Sequence, residues 1–283
     1  MTDLDLLFRL GQAAHAAYRE ANHSVHRSDI VGMGADGSPT EEVDRVVEAE
    51  LLARLAGEKV GWNVLSEEAG RIDRGGARTL VIDPIDGSHN ALRRLPAATV
   101  SLALGDGTLG GIDIGVVHDL ITGTTYWAER GRGAFRDGRP IRTRPWEPSS
   151  EMLFVNLGRH ATDRALAWAR SARRVRSLGC ASLEMSLVAQ GSGDGYLFEN
   201  EAPERNLRVT DIAAGYRILI EAGGGVVDGE LRSLEEFPLR LDRHTSILAF
   251  GDRRLPEHAP RPPPAPRRAG SGPVAWMPAE GSG

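Results

Sequence analysis

Cysteine is nearly missing from this 283-residue chain: Cys180 is the only one, so no disulfide can close within it. Lysine is almost as scarce, Lys59 standing alone while arginine supplies the other basic side chains, an imbalance we assign to base composition and give no function. A basic excess is lacking too. Thirty-four Lys and Arg face 39 Asp and Glu, for a net charge of -5 and a pI near 5.9, which argues against a general nucleic-acid binder. No apolar run approaches the roughly 18 residues that a membrane span needs, and the N-terminus shows no signal-peptide core. These absences lead us to expect a cytoplasmic protein with no membrane and no nucleic-acid partner. None of the eight histidines has HExxH spacing, so zinc chemistry of that type has no footing.

What remains is 41% hydrophobic residues, enough for a substantial core. Leu6, Leu7, Leu10, Ala13, Ala14 and Ala17 recur at helical spacing behind a Thr2/Asp5 capping pair. A second helix follows IVGMGADGSPTEEVD: Ser38 can cap it, Pro39 suits its first turn, and Val43, Val46, Val47, Leu51 and Leu55 form its stripe, with Asp44 at the edge. From Gly61 the period changes. WNVLSEE, TLVIDPIDG, ATVSLALGDG, GIDIGVVHD and TTYWAERGRGAF read as short strands punctuated by glycine. Helical patterns return over 161–172, 182–189 and 210–222, interleaved with strands at VRSLG, GYLFE, GGVVD and TSILAFG, which favours a layered α/β architecture. Beyond Pro256 the chain becomes too rich in Pro and Gly to bury much surface, and we expect a disordered tail over 256–283.

Chemistry concentrates in three acidic segments. In Val81-Ile82-Asp83-Pro84-Ile85-Asp86-Gly87-Ser88 a hydrophobic strand runs into two acids and a glycine turn, followed by a helix start whose N–H groups can face an anion; Gly87 and Ser88 are thus candidate phosphate contacts. Ser66-Glu67-Glu68 also ends an apolar strand, and Asp211 in VTDIAAG opens a helix with a small-residue face. Each segment alone has a bland reading: DPIDG as an Asx-rich turn, EE as a solvated pair. Together they are harder to dismiss, because crowded carboxylates repel one another unless protonated or bridged by cations. An oxygen-only donor set of this kind suits Mg²⁺, Mn²⁺ or Ca²⁺ rather than Zn²⁺.

SEEAG, VIDPIDGS and VTDIAAGYRILIEAGG resemble, in order and spacing, the three signature blocks of the inositol monophosphatase family. The likeness runs from the first helix to about Asp252 and is nearer the archaeal-type bifunctional fructose-1,6-bisphosphatase/inositol monophosphatase branch, with Ser88 where animal members carry Thr. It implies an αβαβα five-layer sandwich, with an N-terminal subdomain over 1–146, a C-terminal one over 147–255 and a cleft between them. It further implies that Glu67, Asp83 and the Ile85 carbonyl hold one Mg²⁺, that Asp83, Asp86 and Asp211 hold a second, and that Asp44 assists a third; Mn²⁺ could substitute. A water oriented by Glu67 and Ser88 would attack phosphorus in line, the cations neutralising phosphate charge and lowering the water's pKa.

The same resemblance nominates Gly179, Cys180 and Ala181 of SLGCAS as the loop facing substrate hydroxyls, and Arg208 as a substrate-facing arginine. Cys180 there reads as a packing residue before a reactive thiol. Two stretches depart from the family pattern: His89-Asn90-Ala91 replaces an aromatic, Asn, aromatic run, and ENEAPERNLRVT is longer than usual and lacks a Trp. The expected activity is hydrolysis of a small sugar or cyclitol phosphate by a homodimer. The alternatives are a bisphosphorylated-sugar or 3′-phosphoadenosine nucleotide phosphatase, for which Arg93, Arg94, Arg205 and Arg208 are the available cations, and a regulatory protein of the transcription machinery. No metal carboxylate is missing, which favours catalysis.

Overall fold

The structure, a computed structural model, describes residues 2–22, 30–35 and 39–260. Helix α1 (Asp3–Ala21) starts on a reciprocal cap, Thr2 Oγ1 accepting the Asp5 N–H at 3.1 Å and Asp5 Oδ2 accepting the Thr2 N–H at 2.9 Å. Strands β1 (Ile30–Met33) and β2 (Pro39–Glu41) pair antiparallel ahead of α2 (Glu42–Ala56). Pro39 therefore belongs to a strand and not, as the sequence led us to expect, to the first turn of α2. Its fixed φ is compatible with either, and cross-strand pairing decides. Ser38, the expected cap, lies outside the described residues.

A large sheet follows, built from β3 (Asn63–Ser66), β4 (Gly70–Ile72), β5 (Thr79–Asp86), β6 (Thr99–Gly105), β7 (Ile112–Asp119), β8 (Thr125–Glu129), β9 (Ala134–Arg136) and β10 (Arg139–Ile141), with helix α3 (Ser88–Arg93) after β5. Its order is β10-β9-β8-β7-β6-β5-β3-β4. Only the β3/β5 pair is parallel, with Ser66 opposite Ile82, so the C-terminal ends of these two strands lie side by side. The two-residue period of β5 sends Leu80 and Ile82 under α1 and α2, where they meet Leu6, Leu7, Leu10, Val47 and Leu51, and turns Val81 to the opposite face. Against β6 the register then slips: Asp83 stands opposite Ser101 and Asp86 opposite Thr99, three steps on one strand against two on the other. This bulge brings Asp86 to the face that Asp83 already occupies.

The second sheet comprises β11 (Leu153–Val155), β12 (Val175–Arg176), β13 (Gly195–Phe198), β14 (Gly225–Val227) and β15 (Ile247–Phe250), ordered β12-β11-β13-β15-β14. Helix α4 (Asp163–Ser171) covers its outer face through Ala165 and Trp168 on Leu153, Val155, Leu197 and Leu248. Helices α5 (Ala181–Ala189) and α6 (Val209–Glu221) lie between the sheets, where Met185, Val188, Ile212 and Ile218 join Val81 and Val117 on one side to Phe154, Tyr196 and Ile247 on the other. The small-residue face of α6 permits a close approach: a Cβ on Gly115 of β7 would stand 2.6 Å from the Ala214 carbonyl. The result is the five-layer αβαβα order.

Three details differ from the sequence reading. Strand β11 was not anticipated, and VRSLG shortens to Val175–Arg176. The packed chain also continues past 255: α7 (Arg254–Glu257) buries Leu255, and the His258 ring sits 4.5 Å from that of Trp146. Residues 261–283 of the expected tail lie outside the described residues. No helix among the described residues is long and apolar enough to cross a membrane.

Candidate active site

Because β3 and β5 are parallel neighbours, the residues leaving them meet. The Glu67 N–H donates to the Ile82 carbonyl at 3.2 Å, and the Glu67 and Asp83 side chains share a hydrogen bond. Asp83 is 2% exposed, and its Oδ1 has no hydrogen-bond partner among the described residues. Burial above all, then the charges of Glu67, Asp86 and Asp211, push its carboxyl well above the usual carboxylate range.

Asp86 has different company. Its Oδ1 accepts the Ala181 N–H at 3.1 Å, and its Oδ2 accepts the Ser182 N–H and hydroxyl, both at 2.6 Å. It thus caps the N-terminal turn of α5, where the helix dipole favours a negative charge. Burial still outweighs these bonds and raises its carboxyl. Asp211, in the first turn of α6, accepts the Arg208 N–H at 2.7 Å.

Helix α2 steadies both strand ends from one face. The Ser88 hydroxyl lies 2.9 Å from Asp44 Oδ1 and 2.8 Å from the Ile85 carbonyl. One turn along, Glu48 Oε1 accepts from the Ser66 hydroxyl and, at 3.0 Å, from the Ala69 N–H, bracketing the turn that carries Glu67. The sequence reading missed Glu48, although its i+4 relation to Asp44 was visible. Gly87 joins Asp86 to α3 with φ +90°, and a Cβ there would lie 2.7 Å from the Ala97 carbonyl, so only glycine fits.

These groups open onto a cleft of about 750 Å³. Of the residues singled out from sequence, Asp44, Glu67, Asp86, Gly87, Ser88, Gly179, Cys180, Ala181, Arg208 and Asp211 line it, whereas Asp83 and Ile85 sit behind the wall. Arg205 lines it as well; Arg93 and Arg94 do not. The cleft adds Asn156, Tyr196, Phe198 and Asn206, which no pattern had marked. Cys180 is buried, with its thiol 3.2 Å from the Asp86 carbonyl oxygen, and burial pushes that thiol well up, as suits a packing role.

Whether the set fits a cation turns on Asp83. No three His, Cys, Asp or Glu side chains among the described residues form a ready-made cage. Yet a buried carboxylate oxygen without a partner, facing three further acids, is costly as it stands and is relieved by a hard cation. Asp86 reaches the same place with its oxygens already engaged by α5. The donor set, all oxygen, fits a divalent ion of that type.

Two sheets, helices sandwiched between them and an acid-walled cleft at parallel strand ends define a layered α/β protein. Comparison with known proteins assigns it further. The chain belongs to the inositol monophosphatase family, whose model matches residues 2–252. It is 37% identical over 227 residues to a fructose-1,6-bisphosphatase/inositol-1-monophosphatase of Thermococcus kodakarensis, covering 80% of this chain and 83% of that one. A bifunctional NADP phosphatase/NAD kinase of Methanococcus maripaludis is 34% identical over 245 residues, 78% of this chain and 42% of that protein. A crystal structure of an inositol monophosphatase-fructose 1,6 bisphosphatase superposes with a TM-score of 0.79 at 26% identity, covering 91% of this chain and 98% of the other.

Proposed function

We propose that the cleft hydrolyses the phosphate monoester of a small sugar or cyclitol. The observation that carries this reading is the orphaned Asp83 Oδ1 among Glu67, Asp86 and Asp211. The family is metal-dependent. In this reading Glu67, Asp83, Asp86, Asp211 and the Ile85 carbonyl hold two Mg²⁺ or Mn²⁺, and Asp44 assists a third. Bound there, the cations neutralise phosphate charge, acidify water and steady the departing oxygen.

The chain's own groups do the rest. Glu67 accepts the proton of the attacking water, and Ser88, held by Asp44 and the Ile85 carbonyl, orients that water. Gly87 and Ser88 present N–H groups to the phosphate, while Gly179, Cys180, Ala181 and Arg208 face the hydroxyls of the substrate body. A bisphosphorylated substrate is the second reading, favoured because Arg205 and Arg208 both line the cleft. The reading also takes residues 1–146 and 147–255 as two subdomains, in line with a first sheet over 63–141 and a second over 153–250, and includes a cytoplasmic homodimer.

Mg²⁺ titrations of inositol 1-phosphate and hexose bisphosphate hydrolysis test it. Asp83→Asn is expected to raise the Mg²⁺ requirement steeply or abolish turnover, and Ser88→Ala to lower the maximum at a nearly unchanged midpoint. Full activity of Asp83→Asn at ordinary Mg²⁺ would overturn the assignment.

A further inference from the structure

Within the stretch from Leu178 to Ser182, three backbone N–H groups are hydrogen-bonded by only two carboxylates. Asp86 takes the last two, as described. Glu184 takes the other end: its Oε1 accepts the Leu178 N–H at 2.8 Å, and the N–H groups of Cys180 and Gly179 also stabilise its anion. Glu184 sits on the first turn of α5, is 1% exposed and does not line the cleft. The loop's carbonyls are held as well, because Asn90 Nδ2 donates to Leu178 O at 2.7 Å and to Gly179 O at 3.2 Å.

The loop thus has no regular partner strand: β12 ends at Arg176, and what fixes residues 178–182 is side chains from three places. Gly179, at φ +69°, has the conformational freedom to drift if a hold is lost. Burying a carboxylate is expensive, and the packing of α5 could be met by an apolar side chain. Holding the loop accounts for the acid.

We propose that Glu184 is a positioning residue that sets the stance of the Gly179–Ala181 wall of the cleft. It touches neither substrate nor reacting atoms. The proposal rests on the phosphatase reading only for its kinetic consequence, since the clamp itself is a statement about loop structure.

Three variants test it: Glu184→Gln keeps the acceptor oxygen, Glu184→Asp falls one methylene short of Leu178, and Glu184→Ala removes the hold. Amide hydrogen exchange over 178–182 is expected to accelerate about tenfold or more in the Asp and Ala variants and to stay near wild type in the Gln variant. Glu184→Asp and Glu184→Ala should raise KM about tenfold with kcat within about threefold, and Glu184→Gln should restore KM. Wild-type exchange and KM in Glu184→Asp would overturn the proposal even if Glu184→Ala did not fold. So would a Gln variant as impaired as the Ala variant, which would make charge, not acceptor geometry, the requirement. If the wild-type protein hydrolysed no phosphate ester, the phosphatase reading would fail while the exchange experiment still judged the clamp.

Discussion

Removing the Glu48 side chain tests how the cleft is braced from behind. Glu48 is 8% exposed, and Ser66, whose hydroxyl it accepts, is fully buried. In Glu48→Ala the Ser66 hydroxyl loses a hydrogen bond to a carboxylate, worth roughly 1.5–3 kcal/mol, and the Ala69 N–H loses one worth roughly 0.5–1 kcal/mol because water can replace it in part. The expected destabilisation is therefore about 2–4 kcal/mol by urea unfolding. Glu48→Gln, which keeps an acceptor oxygen, should lose only about half of that. Since the same bonds bracket the turn bearing Glu67, Mn²⁺ affinity followed by electron paramagnetic resonance should fall about tenfold in Glu48→Ala, without substrate present. A Glu48→Ala protein within about 0.5 kcal/mol of wild type and with unchanged Mn²⁺ affinity would refute the bracing argument.

Burial holds the carboxyl of Glu184 up at about 7, against 4.5 for an ordinary glutamate. The folded state then binds more protons than the unfolded one between those values, so stability falls as pH rises through that window and levels off above it. Across it the loss approaches about 3 kcal/mol, and Glu184→Gln should abolish it, the variant gaining on wild type from about pH 5 to pH 8 in urea unfolding; parallel stability curves would sink the prediction. Gly87→Ala places a methyl 2.7 Å from the Ala97 carbonyl at a positive φ, and should cost about 1–3 kcal/mol in thermal unfolding and most of the activity. An unperturbed Gly87→Ala protein would show that this turn relaxes freely.

The three acidic segments were legible because each ends an apolar strand or opens a helix, positions fixed by local pattern. What the pattern could not supply was which strands are neighbours: Glu67 meets Asp83 only because β3 and β5 pair in parallel, a long-range fact. The same limit explains Pro39, whose restricted φ suits a strand or a helix start until β1 is there to pair with β2. It explains VRSLG too, an apparent strand that stops at Arg176 because Glu184, Asp86 and Asn90 claim the residues after it. Glu48 and Glu184 escaped notice because buried acids on helices look like solvated ones until packing is known.

The bulge between Asp83 and Asp86 separates two demands on a single residue. Ile85 is 1% exposed, with its side chain in the layer beneath α1 and α2, while its carbonyl accepts from Ser88 on the cleft side. Point mutation can delete a carboxylate in one step, but it cannot delete a main-chain oxygen. Position 85 is therefore open to drift among apolar residues that fill the same space, and the carbonyl acceptor survives each exchange. A single-residue deletion within Pro84-Ile85 is the lesion it cannot absorb: the two aspartates would then stand two residues apart, still on one face by regular alternation, but the bulge that sets the Ile85 carbonyl against Ser88 would be gone.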